Sequence, residues 1–173
     1  MNPVLIGYRC CGKTTLGKAL AKALDKTFID TDERVQERVG MSIEALVADQ
    51  GWGAFRSLES RTLARALEER NAVIATGGGI ILDPENRKLI RKKGWPIWLY
   101  ADAATIVQRL ISQKGDHRPR LTEAASLEEE TRQMLELRTP LYNDTAALSI
   151  DTTTETLEGA IREIQRRLDH GRF

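Results

Sequence analysis

The sequence predicts an α/β fold, a five-stranded parallel sheet with helices on both faces. Two observations point to it. Five short runs are apolar at nearly every position, as strands covered on both sides require. Between them the hydrophobic period lengthens to that of amphipathic helices, so each strand is followed by a crossover of helical length. A chain of 173 residues suits one domain, and no repeat, low-complexity tract or linker divides it.

The first strand is PVLIG (3–7), and a helical pattern over 13–24 follows it. TFID (27–30) is the second, with helical patterns at 32–39, 42–50 and 54–69 behind it. NAVIAT (71–76) leads into a helix over 84–93, and PIWLY (96–100) into one over 103–113. A helix over 126–138, the strand AALSID (146–151) and a helix over 155–168 complete the order. Asp83-Pro84 supplies an N-cap and a first-turn proline, and Ser126 with Glu129 has capping-box spacing. Gly40, Gly51 and Gly94 stand where helix ends call for left-handed residues. ISQKGDHRPRLTEAAS (111–126) breaks the regularity. It is polar, carries Gly115 and Pro119, and reads as a lid or binding loop, with a plain solvated loop as the alternative. His117 within it reads as solvent-exposed, with nothing nearby to make it a base.

Composition narrows the function classes. Lys plus Arg number 26 against 25 Asp plus Glu, a net charge of +1. Nucleic-acid and membrane-surface binding need a basic surplus or patch, so neither is expected. No apolar stretch has the length of a membrane span, and the N-terminus lacks a signal-sequence pattern, so a cytoplasmic protein is expected. The only cysteines, Cys10 and Cys11, are adjacent, which excludes a disulfide framework and offers no metal-ligand spacing. They read as small residues filling a tight loop. A redox-sensing role is the alternative, because a helix N-terminus lowers a thiol's pKa.

The chemistry starts at GYRCCGKTT, residues 7–15. Gly7, four intervening residues and Gly12-Lys13-Thr14 fit G-x-x-x-x-G-K-[ST], a phosphate-binding loop between a strand and a helix. Its glycines let backbone N–H groups converge on phosphate oxygens at the helix N-terminus. Lys13 supplies charge to the terminal phosphates, and the Thr14 hydroxyl can ligate Mg²⁺.

Ligands in open parallel sheets bind beyond the carboxyl ends of the strands, and those ends carry further candidates. After the second strand come Asp30 and Asp32, which an extended segment would present on one face. One could support Mg²⁺ while the other accepts a proton from an attacking hydroxyl; a helix cap at Thr31 or Asp32 is the alternative. After the third strand come Gly77, Gly78 and Gly79, which permit close backbone approach to a ligand and expose N–H donors. Arg56 and Arg138 flank aromatic and proline corners and suit bidentate capture of an anion, or are solvated surface charges.

In this order the phosphate loop, D-x-D, F-R-x-x-E (Phe55 to Glu59), G-G-G, R-P-x-L (Arg118 to Leu121) and R-x-P-x-Y (Arg138 to Tyr142) resemble shikimate kinase over nearly the whole chain. The resemblance implies a three-layer α/β/α P-loop kinase fold, a sheet of order 2-3-1-4-5, with a lid at about 111–126 and an acceptor-binding helical region at about 32–62. It implies transfer of the γ-phosphoryl of ATP, with Mg²⁺, to the 3-hydroxyl of shikimate, in a monomer. By resemblance, Lys13, Asp32 and Arg118 are catalytic, with Asp32 the candidate base. Thr14 and Asp30 serve the metal. Gly7, Cys10, Cys11, Gly12, Lys13, Thr14, Thr15, Arg109, Arg118 and Thr153 surround the nucleotide. Asp32, Arg56, Gly77, Gly78, Gly79 and Arg138 bind shikimate, the glycines through backbone N–H groups, and Glu59 orients groups in that pocket. The chain departs from the family at Cys10, where glycine is usual; a left-handed cysteine there would cost about 1–2 kcal/mol.

Another kinase of the same fold, acting on gluconate or a nucleotide, is the competing enzyme, but two arginines around one pocket suit a compact carboxylate. A regulatory GTPase needs N-K-x-D and D-x-x-G, and the chain has neither. A non-catalytic nucleotide-binding module would need neither Asp32 nor a lid arginine. Trp52, Trp95 and Trp98 carry no assigned role, although Trp52 lies near enough to Arg56 to report on substrate.

Overall fold

The computed structural model describes residues 1–112, 122, 124 and 126–170. Strands β1 (Asn2–Ile6), β2 (Thr27–Asp30), β3 (Ala72–Ala75), β4 (Gly94–Tyr100) and β5 (Leu148–Asp151) form one parallel sheet. Their order is β2-β3-β1-β4-β5, the one the family resemblance implies. Leu5 pairs with Ala75 and with Ile97, Asp30 with Ala75, and Tyr100 with Asp151. The strands' carboxyl ends therefore gather at one edge, and the loops leaving them bring distant residues together there.

Helices α1 (Lys13–Ala23), α2 (Thr31–Val39), α3 (Ile43–Ala66), α4 (Pro84–Lys93), α5 (Ala103–Ser112), α6 (Leu127–Thr145) and α7 (Leu157–Asp169) connect and cover the strands, with a 3₁₀ turn at Ile80–Leu82. Alternation along β1 divides the core in two. Val4 and Ile6 pack with Leu63 of α3, Ile90 of α4 and Tyr142 of α6 on one face. Leu5 packs with Leu16 and Leu20 of α1 and Ile164 of α7 on the other. All of these are at most 3% exposed, and burying each large aliphatic side chain stabilises by about 1.5–3 kcal/mol relative to exposure. Val35, Ile43, Leu46 and Phe55 form a separate cluster that ties α2 to α3. No helix among the described residues is long and apolar enough to cross a membrane.

Local signals account for most boundaries. Asp83 accepts from the Glu85 N–H at 2.8 Å ahead of Pro84, and Ser126 accepts from Glu129 N–H at 3.1 Å. Gly40 closes α2 at φ 69°, and Gly51, at φ 79°, bends α3 between the two expected helical pieces.

Three expectations are corrected. Gly94 is extended (φ −122°, ψ 171°) and opens β4; it is bare because a Cβ there would overlap Val4 Cγ2. The helix expected to end at 138 runs through Pro140 to Thr145. Proline removes one helical donor and crowds the carbonyl four residues back, but Glu136 and Pro140 are solvent-exposed. The final turn is anchored by Tyr142, which is fully buried and donates its hydroxyl to Gly78 O at 2.5 Å. Finally, the Asp30-Thr31-Asp32 segment is not extended throughout, because α2 begins at Thr31.

Candidate active site

The turn after β1 has the backbone that its sequence demands. Gly7 (φ 144°) and Gly12 (φ 93°) lie outside the range favoured by other residues, and Gly12 caps α1. Cys10 is also left-handed, at φ 58°, so the position that departs from glycine carries the strain expected of it. The loop is clamped from behind. Arg109 Nη1 donates to Cys10 O at 3.2 Å, and the Thr152 hydroxyl donates to Cys11 O at 3.2 Å. Lys13 Nζ reaches back to Gly7 O (2.9 Å) and Tyr8 O (2.7 Å), which holds its charge over the N-terminus of α1. The Cys11 side chain is wholly buried and belongs to the core cluster around Leu5.

A cleft of about 360 Å³ opens from this loop. Gly12 to Thr15, Asp30, Asp32, Arg109, Thr152 and Thr156 are among the residues that line it. Thr153, expected beside the nucleotide, is not among the residues lining this cleft. Its hydroxyl accepts from Asp102 N–H at 3.0 Å and its own N–H donates to Asp151 Oδ1 at 2.8 Å. Thr152, one residue earlier, lines the cleft instead and accepts a 2.6 Å bond at its carbonyl from Arg109 Nη2.

The two aspartates reach the cleft by different routes. Asp30 ends β2 and caps α2, its Oδ1 accepting from Asp32 N–H at 3.0 Å and Glu33 N–H at 3.4 Å. Its Oδ2 accepts the Thr14 hydroxyl at 3.0 Å. This oxygen pair could hold Mg²⁺, and no group of three or more His, Cys, Asp or Glu among the described residues could hold a metal. Such a sparse donor set fits Mg²⁺, which takes one or two protein oxygens and fills its shell with phosphates and water. Asp32 sits in the first turn of α2, buried.

Beside the cleft lies a second pocket lined by Tyr8, Asp32, Arg56, Glu59, the three glycines and Arg138. Arg56 Nη1 donates to Glu59 Oε2 at 2.5 Å, and its guanidinium carbon lies 5.2 Å from the Trp52 ring and 5.1 Å from that of Phe55. Cation–π contacts of this kind fix a planar cation. Across the pocket, Arg138 donates to Gly78 O at 3.2 Å and lies 5.6 Å over the Tyr8 ring. Burial pushes the Glu59 carboxyl up to about 7, with Arg56 opposing the shift and Asp32 adding to it.

Of the three glycines, only Gly77 has its N–H engaged within the described residues. Gly77 N–H is taken by the Thr31 hydroxyl at 3.2 Å, and Gly78 contributes its carbonyl. None of the three has positive φ. Bareness also provides space. A Cβ on Gly77 would overlap Glu59 Oε1 and lie 2.6 Å from Asp32 Oδ1, and one on Gly79 would overlap the Arg56 guanidinium.

Sequence reasoning missed Tyr8, Ile43, Phe55 and Arg9 as pocket residues. Arg9 is an unspecified position of the loop motif, and its ion pair with buried Glu130 spans 121 positions. No local signal announces either. Arg118, His117 and most of the expected lid lie outside the described residues.

Comparison with known proteins gives a consistent result. The family model for shikimate kinase matches residues 9–169. A shikimate kinase of Syntrophus aciditrophicus is 37% identical over 181 residues, covering 99% of this chain and 93% of that one. Shikimate kinase 2 of Salmonella paratyphi B is 45% identical over 155 residues, covering 88% and 84%. The solved structure of shikimate kinase from Acinetobacter baumannii in complex with shikimate aligns with a TM-score of 0.90 at 28% identity, covering 99% and 94%.

Proposed function

The chain belongs to the shikimate kinase family, and we propose that Asp32 is its general base, set between nucleotide cleft and acceptor pocket. The reaction is transfer of the γ-phosphoryl of ATP, with Mg²⁺, to the 3-hydroxyl of shikimate, a step of aromatic amino-acid biosynthesis. One observation supports the assignment above the others. Among the described residues only Arg9 and Asp32 line both spaces. Arg9 is paired with Glu130 and cannot accept a proton, which leaves the carboxylate.

The division of labour follows from charge and position. Lys13 and the first N–H groups of α1 receive the phosphates. Thr14 and Asp30 would hold Mg²⁺, which would supply positive charge against the negative charge of the phosphates. Arg109 and Thr152 flank the base of the nucleotide. Arg56 and Arg138 grip the acceptor carboxylate, and Glu59 and the aromatic corner orient Arg56. Arg118 is assigned to the transferring phosphoryl group on its R-P-x-L motif. A cytoplasmic monomer with a single domain, a helical acceptor region over 32–62 and a lid over 111–126 completes the reading.

ADP release in the presence of ATP and Mg²⁺, measured with shikimate, quinate, gluconate and nucleoside monophosphates, tests it. Shikimate should give the highest kcat/KM. Preference for gluconate or a nucleotide would overturn the acceptor assignment.

A further inference from the structure

Glu59 is placed to do more than orient Arg56. Its residue is 1% exposed. Oε2 is engaged by Arg56, whereas Oε1 is buried with no hydrogen-bond partner among the described residues. The bare Cα of Gly77 lets Oε1 approach Asp32 Oδ1, since one added Cβ would crowd both oxygens. The charged groups facing Glu59 are Arg56 on its own helix, Asp32 from α2 and Arg138 from α6. Arg9 lines the same pocket but is matched by Glu130. Two guanidiniums therefore balance two carboxylates before any acceptor enters.

A carboxylate acceptor adds one negative charge to this buried set, and it competes with Glu59 for the Arg56 fork. We propose that the acceptor binds as a carboxylate together with one proton, which Glu59 takes from solvent onto Oε1. The inference rests on reading this pocket as the carboxylate site. Protonation restores the balance and converts the unpartnered oxygen into a donor. The raised proton affinity of Glu59, at about 7, makes the uptake accessible near neutrality. Glu59 also lines a second groove, with Ser57, Ser60, Asp83 and Asn86, so a proton has an approach that the acceptor does not block.

The sign follows from linkage. Below about pH 7 Glu59 is already protonated and acceptor affinity is independent of pH. Above it, binding takes up a proton, and Kd rises toward tenfold per pH unit.

Calorimetric titration of shikimate into the protein at about pH 8, in phosphate and in Tris, measures the uptake directly from the difference in buffer ionisation heat. The expected result is close to one proton per site, falling to near zero in Glu59→Gln, whose Kd becomes flat with pH. Shikimate methyl ester, which lacks the charge, should bind the unaltered protein with no uptake, an arm that stands even if the variant misfolds. Shikimate binding without buffer dependence, equal uptake in Glu59→Gln, or equal uptake with the ester would overturn the proton linkage alone. Absence of any saturable binding would overturn the carboxylate pocket with it.

Discussion

Replacing Gly79 with alanine isolates the role of Arg56 without touching Arg56. Gly79 has φ −96° and ψ −1°, a backbone that alanine adopts without strain. The new Cβ would overlap Cζ and both terminal nitrogens of Arg56. Those atoms end a flexible side chain that is 29% exposed, so the guanidinium yields and the backbone stays. Moving it out of register removes one charge-assisted, bidentate contact with the acceptor carboxylate, about 1.5–3 kcal/mol. Because each 1.4 kcal/mol is tenfold, KM for shikimate should rise about 10- to 150-fold. The carboxylate lies away from the reacting hydroxyl, so kcat should change by less than about threefold. Steady-state ADP release against shikimate concentration at saturating ATP reads both constants, and a melting curve should move by no more than about 2 °C. An unchanged KM would refute the argument that these glycines are bare to make room for the pocket's charges. A collapse of the melt would show that the backbone gives way instead.

Lys13→Ala should abolish phosphoryl transfer while circular dichroism stays native, because the ammonium bonds loop carbonyls and serves phosphate charge; near-normal turnover would remove the loop from the catalytic site. Cys10→Gly should relieve the left-handed strain at φ 58° for a net gain of about 0.5–1 kcal/mol after the entropy cost of glycine, roughly 2 °C in Tm. A lower Tm would contradict it. Glu130→Ala should cost about 3–5 kcal/mol, read by denaturant unfolding, because it strands the Arg9 charge in a buried site; a loss below about 1 kcal/mol would show that the charge finds water.

The sequence revealed the features that depend on neighbours along the chain. The phosphate loop was legible because the spacing of Gly7, Gly12, Lys13 and Thr14 is itself the mechanism. The caps at Asp83 and Ser126 were legible for the same reason. Arg56 and Arg138 stood out beside aromatic and proline corners, but only the order of several weak motifs separated them from surface charges and brought in Glu59, since an arginine in a helix carries no mark of what it faces. Where side chains from α2, α3 and α6 converge, sequence reasoning missed a further reason for the glycines: bare Gly77 and Gly79 leave space for Asp32, Glu59 and Arg56. The offset between Thr152 and Thr153 turns on which hydroxyl the Asp102 N–H takes, a choice made across 51 residues. Pro140 looked like a helix end because the anchor that overrides it, Tyr142 on Gly78 O, is a tertiary contact.

The central claim is that Asp32 accepts the proton of the attacking hydroxyl where cleft and pocket meet. Single-turnover rapid quench of Asp32→Asn, with ATP affinity measured in parallel, tests it most directly. The amide keeps the shape of the side chain and its place in α2 but cannot take a proton, and loss of a general base costs about 10²–10⁴ in rate. Because phosphoryl transfer through a loose transition state depends more on positioning than on a base, the low end of that range is expected. The account predicts a fall of about 10² in the transfer step with ATP Kd unchanged; an asparagine variant that transfers phosphate at the wild-type rate would contradict it and leave Asp32 a structural residue of α2.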